Sequence, residues 1–371
     1  MLQIKNLEMS AGNFSINNIS LSVPDGCCHV LLGRTGNGKT LILESIAGLR
    51  PIKNGDISID NRIITKEPSE NKFISYVPQD LALFPHLNVE KNIFYSQRFK
   101  RNQSRDRKEI SEIIERLQLG SLLHRSIHNL SGGEQQRVAL ARAFASGNKV
   151  LLLDEPYSAL HFTMKRTLWS LLSDIKRRYT LSILMVTHDL EEAFFLADNI
   201  SVLHRGMILQ TGKNEDVFSN PANIEVTKIT GHYNYFSGNV VSINGEQCLV
   251  YFDKLCNKFT TKNVGFTPGD KVIMAIRTSN IEILPKGDKT IPACSTLSDA
   301  HNTISCKIKN IHYTTHYQQL VVTVEQQDNQ TQDEVFIDVY DKKSIRNFEI
   351  GQKVTVSFPK DAIIIFKDDI N

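Results

Sequence analysis

Nowhere in the 371 residues is there a run of about 18 or more apolar side chains, so no segment is expected to cross a bilayer as a helix. The opening MLQIKNLEMS lacks a basic stretch followed by an apolar core, and no secretory leader is expected. Cysteine is sparse: Cys27, Cys28, Cys248, Cys256, Cys294 and Cys306 show no CxxC spacing and no pairing with nearby histidines of the kind a zinc site needs. That pattern argues against a zinc site and reads as reduced, mostly buried thiols. An excess of one charge is also missing, because 43 basic and 40 acidic side chains leave only +3. Charge therefore implies no polyanion, and nucleic acid is not an expected partner. The basic stretch from Gln97 to Lys108 carries no aromatic ladder and reads as a solvated helix face. What remains is an ordinary globular composition, 41% hydrophobic and 22% charged, long enough for two cored domains of a cytosolic chain.

From Leu2 to about Thr211, short apolar runs alternate with helical patterns. His29 to Leu32, Val150 to Asp154 and Ser182 to Thr187 read as buried strands, each followed by a helix. That alternation predicts an α/β core around a parallel sheet. Residues Pro85 to Leu130 predict a helical insertion. Beyond Asn214 to Pro221 the pattern becomes period two, with turns at Asn244-Gly245, Pro268-Gly269 and Asp328-Asn329, and an all-β domain is expected over 232–371 after a first domain of 1–231. The second domain repeats itself. Pro268 to Ile283 aligns without gaps with Ile350 to Ile365, and FSGNVVSI from Phe236 with ISCKIKNI from Ile304, which predicts two small barrels over about 232–290 and 298–371.

GRTGNGKT comprises Gly33, Arg34, Thr35, Gly36, Asn37, Gly38, Lys39 and Thr40. It follows a strand and opens a helix, the context in which GxxxxGK[ST] cradles phosphates. Gly33, Gly36 and Gly38 let backbone amides close on phosphate oxygens at the helix N-terminus. Lys39 would neutralise the β- and γ-phosphates, and Thr40 would offer its hydroxyl to Mg²⁺. The run VLLLDE ends in two carboxylates: Asp154 is placed to hold the metal, and Glu155, one residue on, to act as general base toward the attacking water. ATP and Mg²⁺ are thus the expected ligands.

LSGGEQQR, from Leu130 to Arg137, has no role in a lone phosphate-loop enzyme, and with it the chain resembles the ATP-binding cassette family. The resemblance implies a P-loop NTPase domain with a parallel core sheet and helical subdomain. It also implies that Ser131, Gly132, Gly133 and Glu134 act in trans on the ATP of a second copy. Gln79, in YVPQDLALFPHLNV, looks like the family's Q-loop glutamine, touching Mg²⁺ and the attacking water. His188, in ILMVTHDLEEA, looks like the switch histidine on the γ-phosphate. Two places depart from the pattern. Ser158-Ala159-Leu160-His161 lacks the usual aspartate, implying altered coupling between the two ATP sites, and the adenine-stacking aromatic has only Phe14 as a candidate, for which core packing is the main expectation.

The cassette followed by a β module resembles importer subunits carrying a C-terminal oligonucleotide-binding-like (TOBE) regulatory domain. Such subunits lie peripherally on the cytoplasmic face of the inner membrane, partnered by transmembrane permease subunits and indirectly by a solute-binding protein. LLGRTGNGKTLILESIAGL and FPHLNVEKNI look most like the molybdate and tungstate subfamily, with ferric iron, sulfate, polyamine and sugar importers as alternatives. At the places where that subfamily holds its oxyanion this chain has Asp299-Ala300-His301-Asn302 and Pro359-Lys360-Asp361-Ala362, so the module is expected to be structural, dimer-stabilising or a sensor of something else. A nucleic-acid clamp and a subunit with drifted ATPase activity are the competing readings.

Overall fold

Strands Cys28–Leu32, Val150–Asp154 and Ser182–Thr187 are buried on both faces, which is why they read as continuous apolar runs. They are central strands of a six-stranded sheet ordered Met207–Lys213, Asn199–His204, Cys28–Leu32, Ser182–Thr187, Val150–Asp154, Ile74–Val77. Every pair is parallel except the edge hairpin Asn199–His204 with Met207–Lys213. A second, antiparallel sheet of Phe14–Val23, Leu2–Ala11, Asn54–Ile59 and Arg62–Ile63 closes the same core, with Leu7, Ile19 and Ile57 fully buried. The computed structural model describes residues 1–99, 105–158, 160–284, 301–314, 316–324, 334–340 and 348–368.

Between the strands Ile74–Val77 and Val150–Asp154 lies the expected helical insertion. Val89–Ile93 is capped by Asn88, and Arg107–Arg116 is capped by Asp106 and turns Ile110, Ile113 and Ile114 inward. The helix Gly132–Ala145 returns the chain to the sheet. Residues 100–104 of the basic stretch lie outside the described residues.

The chain divides into two units, Met1–Ala222 and Asn223–Asn371, so the helix Ile224–Thr230 groups with the second unit and the division falls earlier than 231/232. This unit contains two five-stranded antiparallel sheets. One is ordered Asn257–Lys262, Gln247–Phe252, Tyr233–Asn244, Lys271–Arg277, Ile364–Lys367; the other Glu282–Leu284, Lys353–Pro359, His301–Tyr313, Gln318–Val324, Glu334–Val339. Each sheet ends in the other repeat's last strand: Ala275 pairs with Ile364, and Ser357 with Glu282. In the repeat alignment these two pairs are equivalent. Asn234 bonds both the amide and carbonyl of Phe336 (2.9 and 2.8 Å), and its counterpart Asn302 does the same to Thr260 (2.8 and 3.1 Å). The repeats therefore share one core, in which the Phe358 ring meets Phe236 edge to face and Phe259 at a tilt, instead of enclosing two separate ones. The turn at Asp328-Asn329, the inter-repeat residues 285–300, and so Cys294, Asp299 and Ala300, lie outside the described residues.

Candidate nucleotide-binding and hydrolysis site

At the carboxyl end of the parallel sheet, where α/β sheets hold ligands, the loop Gly33–Gly38 leads into the helix Lys39–Ala47. Gly36 and Gly38 adopt φ of +84° and +94°, open to glycine and costly to others. A Cβ on Gly38 would stand 2.6 Å from the Phe14 ring, and one on Gly33 2.6 Å from the Leu203 carbonyl. Asn37 pins the loop to the neighbouring strand, donating to Leu203 O (3.1 Å) and accepting from Arg205 N (3.3 Å). Arg34 and Thr35 are exposed on its outer side. Phe14 packs against the core and against Gly38.

Lys39 is only 5% exposed, and its ammonium donates to the carbonyls of Gly33 (2.9 Å) and Arg34 (3.2 Å). Burial lowers its pKa, an effect opposed by Glu155 and Asp154. Asp154, 1% exposed, accepts from the Tyr76 hydroxyl (3.3 Å) and lies beside the Thr40 hydroxyl, which favours its charged form. Its Oδ1 is buried without a hydrogen-bond partner. Burial raises the Asp154 pKa, chiefly through lost hydration. A desolvated carboxylate with an orphaned oxygen beside a threonine hydroxyl is the donor set a hard divalent cation seeks, and these residues fit Mg²⁺. Among the described residues no cluster of three His, Cys, Asp or Glu forms a metal site by itself. The remaining oxygens would come from phosphate, water and the Gln79 amide.

Glu155 sits at φ +44°, a left-handed turn fixed by its amide donating to Val186 O (3.0 Å). The turn aims its carboxylate at two nitrogens: Oε1 is 3.1 Å from His188 Nδ1 and 3.5 Å from the Lys39 ammonium. Lys39, Thr40, Asp154, Glu155 and His188 thus converge. Gln79 is exposed, two residues past Val77, which pairs with Leu153, so it stands at the same sheet end beside the strand bearing Asp154. Ser131 caps the helix Gly132–Ala145 through a reciprocal box: its hydroxyl accepts from Glu134 N (3.4 Å), and the Glu134 carboxylate accepts from Ser131 N (2.8 Å). Gly132 faces open space, whereas a Cβ on Gly133 would lie 2.3 Å from Met164 Sδ.

Several supporting residues carry no motif and went unrecognised in the sequence. Tyr76 bonds Asp154. Arg142, on the helix begun by Ser131, donates to the carbonyls of Ala82 (2.6 Å) and Leu81 (2.8 Å), whose positive φ bends the loop just after Gln79. Asn92, fully buried, bonds Phe84 N (2.9 Å) and O (3.1 Å) in the same segment. Tyr76 meets a side chain 78 residues away and Arg142 and Asn92 meet backbone, pairings that periodicity does not report.

The ABC transporter family profile matches residues 16–158. The Legionella pneumophila spermidine/putrescine import ATP-binding protein PotA is 34% identical over 286 residues, 76% of this chain and 78% of that protein. PotA of Salmonella typhimurium is 32% identical over 73% of this chain and 72% of its own. Among solved structures, the bacterial ABC transporter cassette MJ0796 in dimeric form matches with a TM-score of 0.52 at 26% identity, covering 58% of this chain and 99% of that one. The same cassette bound to ADP and Pi, in a post-hydrolysis dimer, matches with 0.51 at 26% identity over the same shares. Sequence relatedness over this span and a site able to hold and cleave a nucleoside triphosphate lead to one conclusion: the chain belongs to the ABC transporter family, within which it is an ATPase.

Proposed function

We propose that this chain energises an importer of small organic polycations, of the spermidine and putrescine type, from the cytoplasmic face of the membrane. The supporting observation is that the relatives that match across some three quarters of the chain are polyamine-import ATP-binding proteins. Molybdate or tungstate, toward which the sequence resemblance leaned, gives way to the polyamine alternative on that ground. In the β unit the place of an oxyanion-holding turn carries the Asp361 carboxylate, ion-paired with Lys262 at 2.9 Å, where an oxyanion would need a donor. No helix among the described residues is long and apolar enough to cross a membrane, so translocation on this reading belongs to separate permease subunits, fed by a solute-binding protein.

In the proposed cycle, Gly33 to Thr40 bind the triphosphate, and Lys39 exchanges its carbonyl and Glu155 contacts for phosphate oxygens. Bound Mg²⁺, held by Thr40, Asp154 and Gln79, would offset charge on the β- and γ-phosphates. Glu155 then accepts the proton of the attacking water, and His188 bonds the γ-phosphate. Ser131, Gly132, Gly133 and Glu134 of a second copy close on the nucleotide from the opposite side, as the dimeric form of a related cassette suggests. Radiolabelled spermidine, putrescine and molybdate uptake, in host cells carrying wild type or Glu155→Gln, tests the substrate. Loss of polyamine uptake alone is expected, and loss of molybdate uptake alone would overturn the assignment.

A further inference from the structure

We infer that Lys165 is a positioning residue for His188, linking the helix that follows Ser158–His161 to the switch loop. The inference rests on the reading that His188 acts on the γ-phosphate. Lys165 lies in the first turn of the helix Phe162–Tyr179, where its amide and that of Met164 donate to the His161 carbonyl (3.1 and 3.0 Å). Its ammonium donates to Asp189 Oδ2 (2.8 Å) and Glu192 Oε1 (2.9 Å), one residue and four residues past His188. The other Glu192 oxygen accepts from the Thr187 hydroxyl (2.7 Å), and that hydroxyl accepts from the Asp189 amide (3.0 Å). The Thr187 carbonyl in turn accepts from Gly33 N at 3.3 Å, the first residue of the phosphate loop. Both chain neighbours of His188 are thereby held, while the imidazole itself remains 52% exposed and free to meet a ligand.

A bridge that merely joined the helix Phe162–Tyr179 to the helix Leu190–Leu196, which carries Glu192, would be redundant here. One turn further along both helices, the buried Trp169 already stacks on Phe195, with ring centroids 5.4 Å apart. Glu192 is 3% exposed, and buried ion clusters of this kind seldom stabilise a fold more than apolar side chains would. What the cluster supplies is fixed geometry beside a reacting group, where a displacement of about 1 Å can cost as much as 100-fold in rate. Because the helix N-terminus at His161 carries Lys165, a shift of the preceding segment moves the anchor of the histidine loop.

The test compares ATP KM and kcat for Lys165→Met, Lys165→Arg, Glu192→Gln, His188→Ala and the Lys165→Met/His188→Ala double variant of the full chain. Emission of Trp169, the one tryptophan of the sequence, reports helix packing in each. Lys165→Met and Glu192→Gln are expected to lower kcat on the order of 10- to 100-fold with KM little changed and emission unshifted. Lys165→Arg should recover most of the rate, and Lys165→Met should cost nothing further on the His188→Ala background. Normal kcat in Lys165→Met and Glu192→Gln alongside an inactive His188→Ala, or an equal further loss in the double variant, overturns the positioning role alone. Normal kcat in His188→Ala overturns the reading of His188 itself.

Discussion

The Glu155 carboxylate lies 3.5 Å from the Lys39 ammonium, so the proposed base and the proposed phosphate clamp form one ion pair. The contact is largely shielded, with Lys39 5% and Glu155 12% exposed, and His188 Nδ1 shares the same carboxylate oxygen. On the proposed cycle, a phosphate that drew Lys39 away would release Glu155 toward the water, and binding and activation of the base would be one event.

Glu155→Gln should therefore leave ATP affinity within a few-fold of wild type, because Lys39 keeps its Gly33 and Arg34 carbonyls. Turnover should fall by about 100-fold or more, the scale of a lost general base. Nucleotide titration and single-turnover hydrolysis separate the two, and a near-normal turnover would remove Glu155 from the proposed role.

The raised pKa of Asp154 carries a stability consequence with a definite sign. A carboxyl that binds its proton more tightly when folded contributes most below its unfolded pKa, and the contribution is lost as pH rises through the folded value. Nucleotide-free wild type should thus gain on Asp154→Asn as pH falls from ~7 toward ~4, the variant melting higher near neutrality and the gap closing in acid. A Tm difference independent of pH would contradict this.

Arg142→Ala removes both donors from the Leu81 and Ala82 carbonyls, leaving two left-handed residues without their clamp. Hydrogen bonds from a charged donor contribute about 1.5–3 kcal/mol each, so amide exchange over residues 79–84 should rise by at least about tenfold. Unchanged exchange there would show that Asn92 alone holds the segment.

The exchanged strands of the β unit predict one cooperative transition. Ile365, which pairs with Met274 of the other repeat, is 9% exposed in the shared core, and Ile365→Ala should cost about 2–4 kcal/mol. Protection should drop in both Lys271–Arg277 and Gln318–Val324. Retained protection in Gln318–Val324 would mean the repeats fold separately.

The phosphate loop, Asp154, Glu155 and the signature were legible because each is a residue type at a fixed offset from a buried strand or helix start. Tyr76, Lys165, Glu192 and Arg142 were not, since each acts through a partner far along the chain. The exchange of Glu282–Leu284 and Ile364–Lys367 was hidden for a different reason: two like repeats present the same apolar alternation whether each last strand pairs at home or across. The sequence places the helix Ile224–Thr230 before the β pattern begins, whereas in the structure the Thr227 hydroxyl bonds that of Tyr235, in the first strand of the second unit.

The most direct test of the central claim is the mass of Glu155→Gln by light scattering, with and without ATP and Mg²⁺. A shift from monomer to dimer only when both are present is the result predicted for a phosphate loop completed by Ser131, Gly132 and Gly133 of a second copy. A monomer under all conditions, or a dimer indifferent to nucleotide, would contradict it.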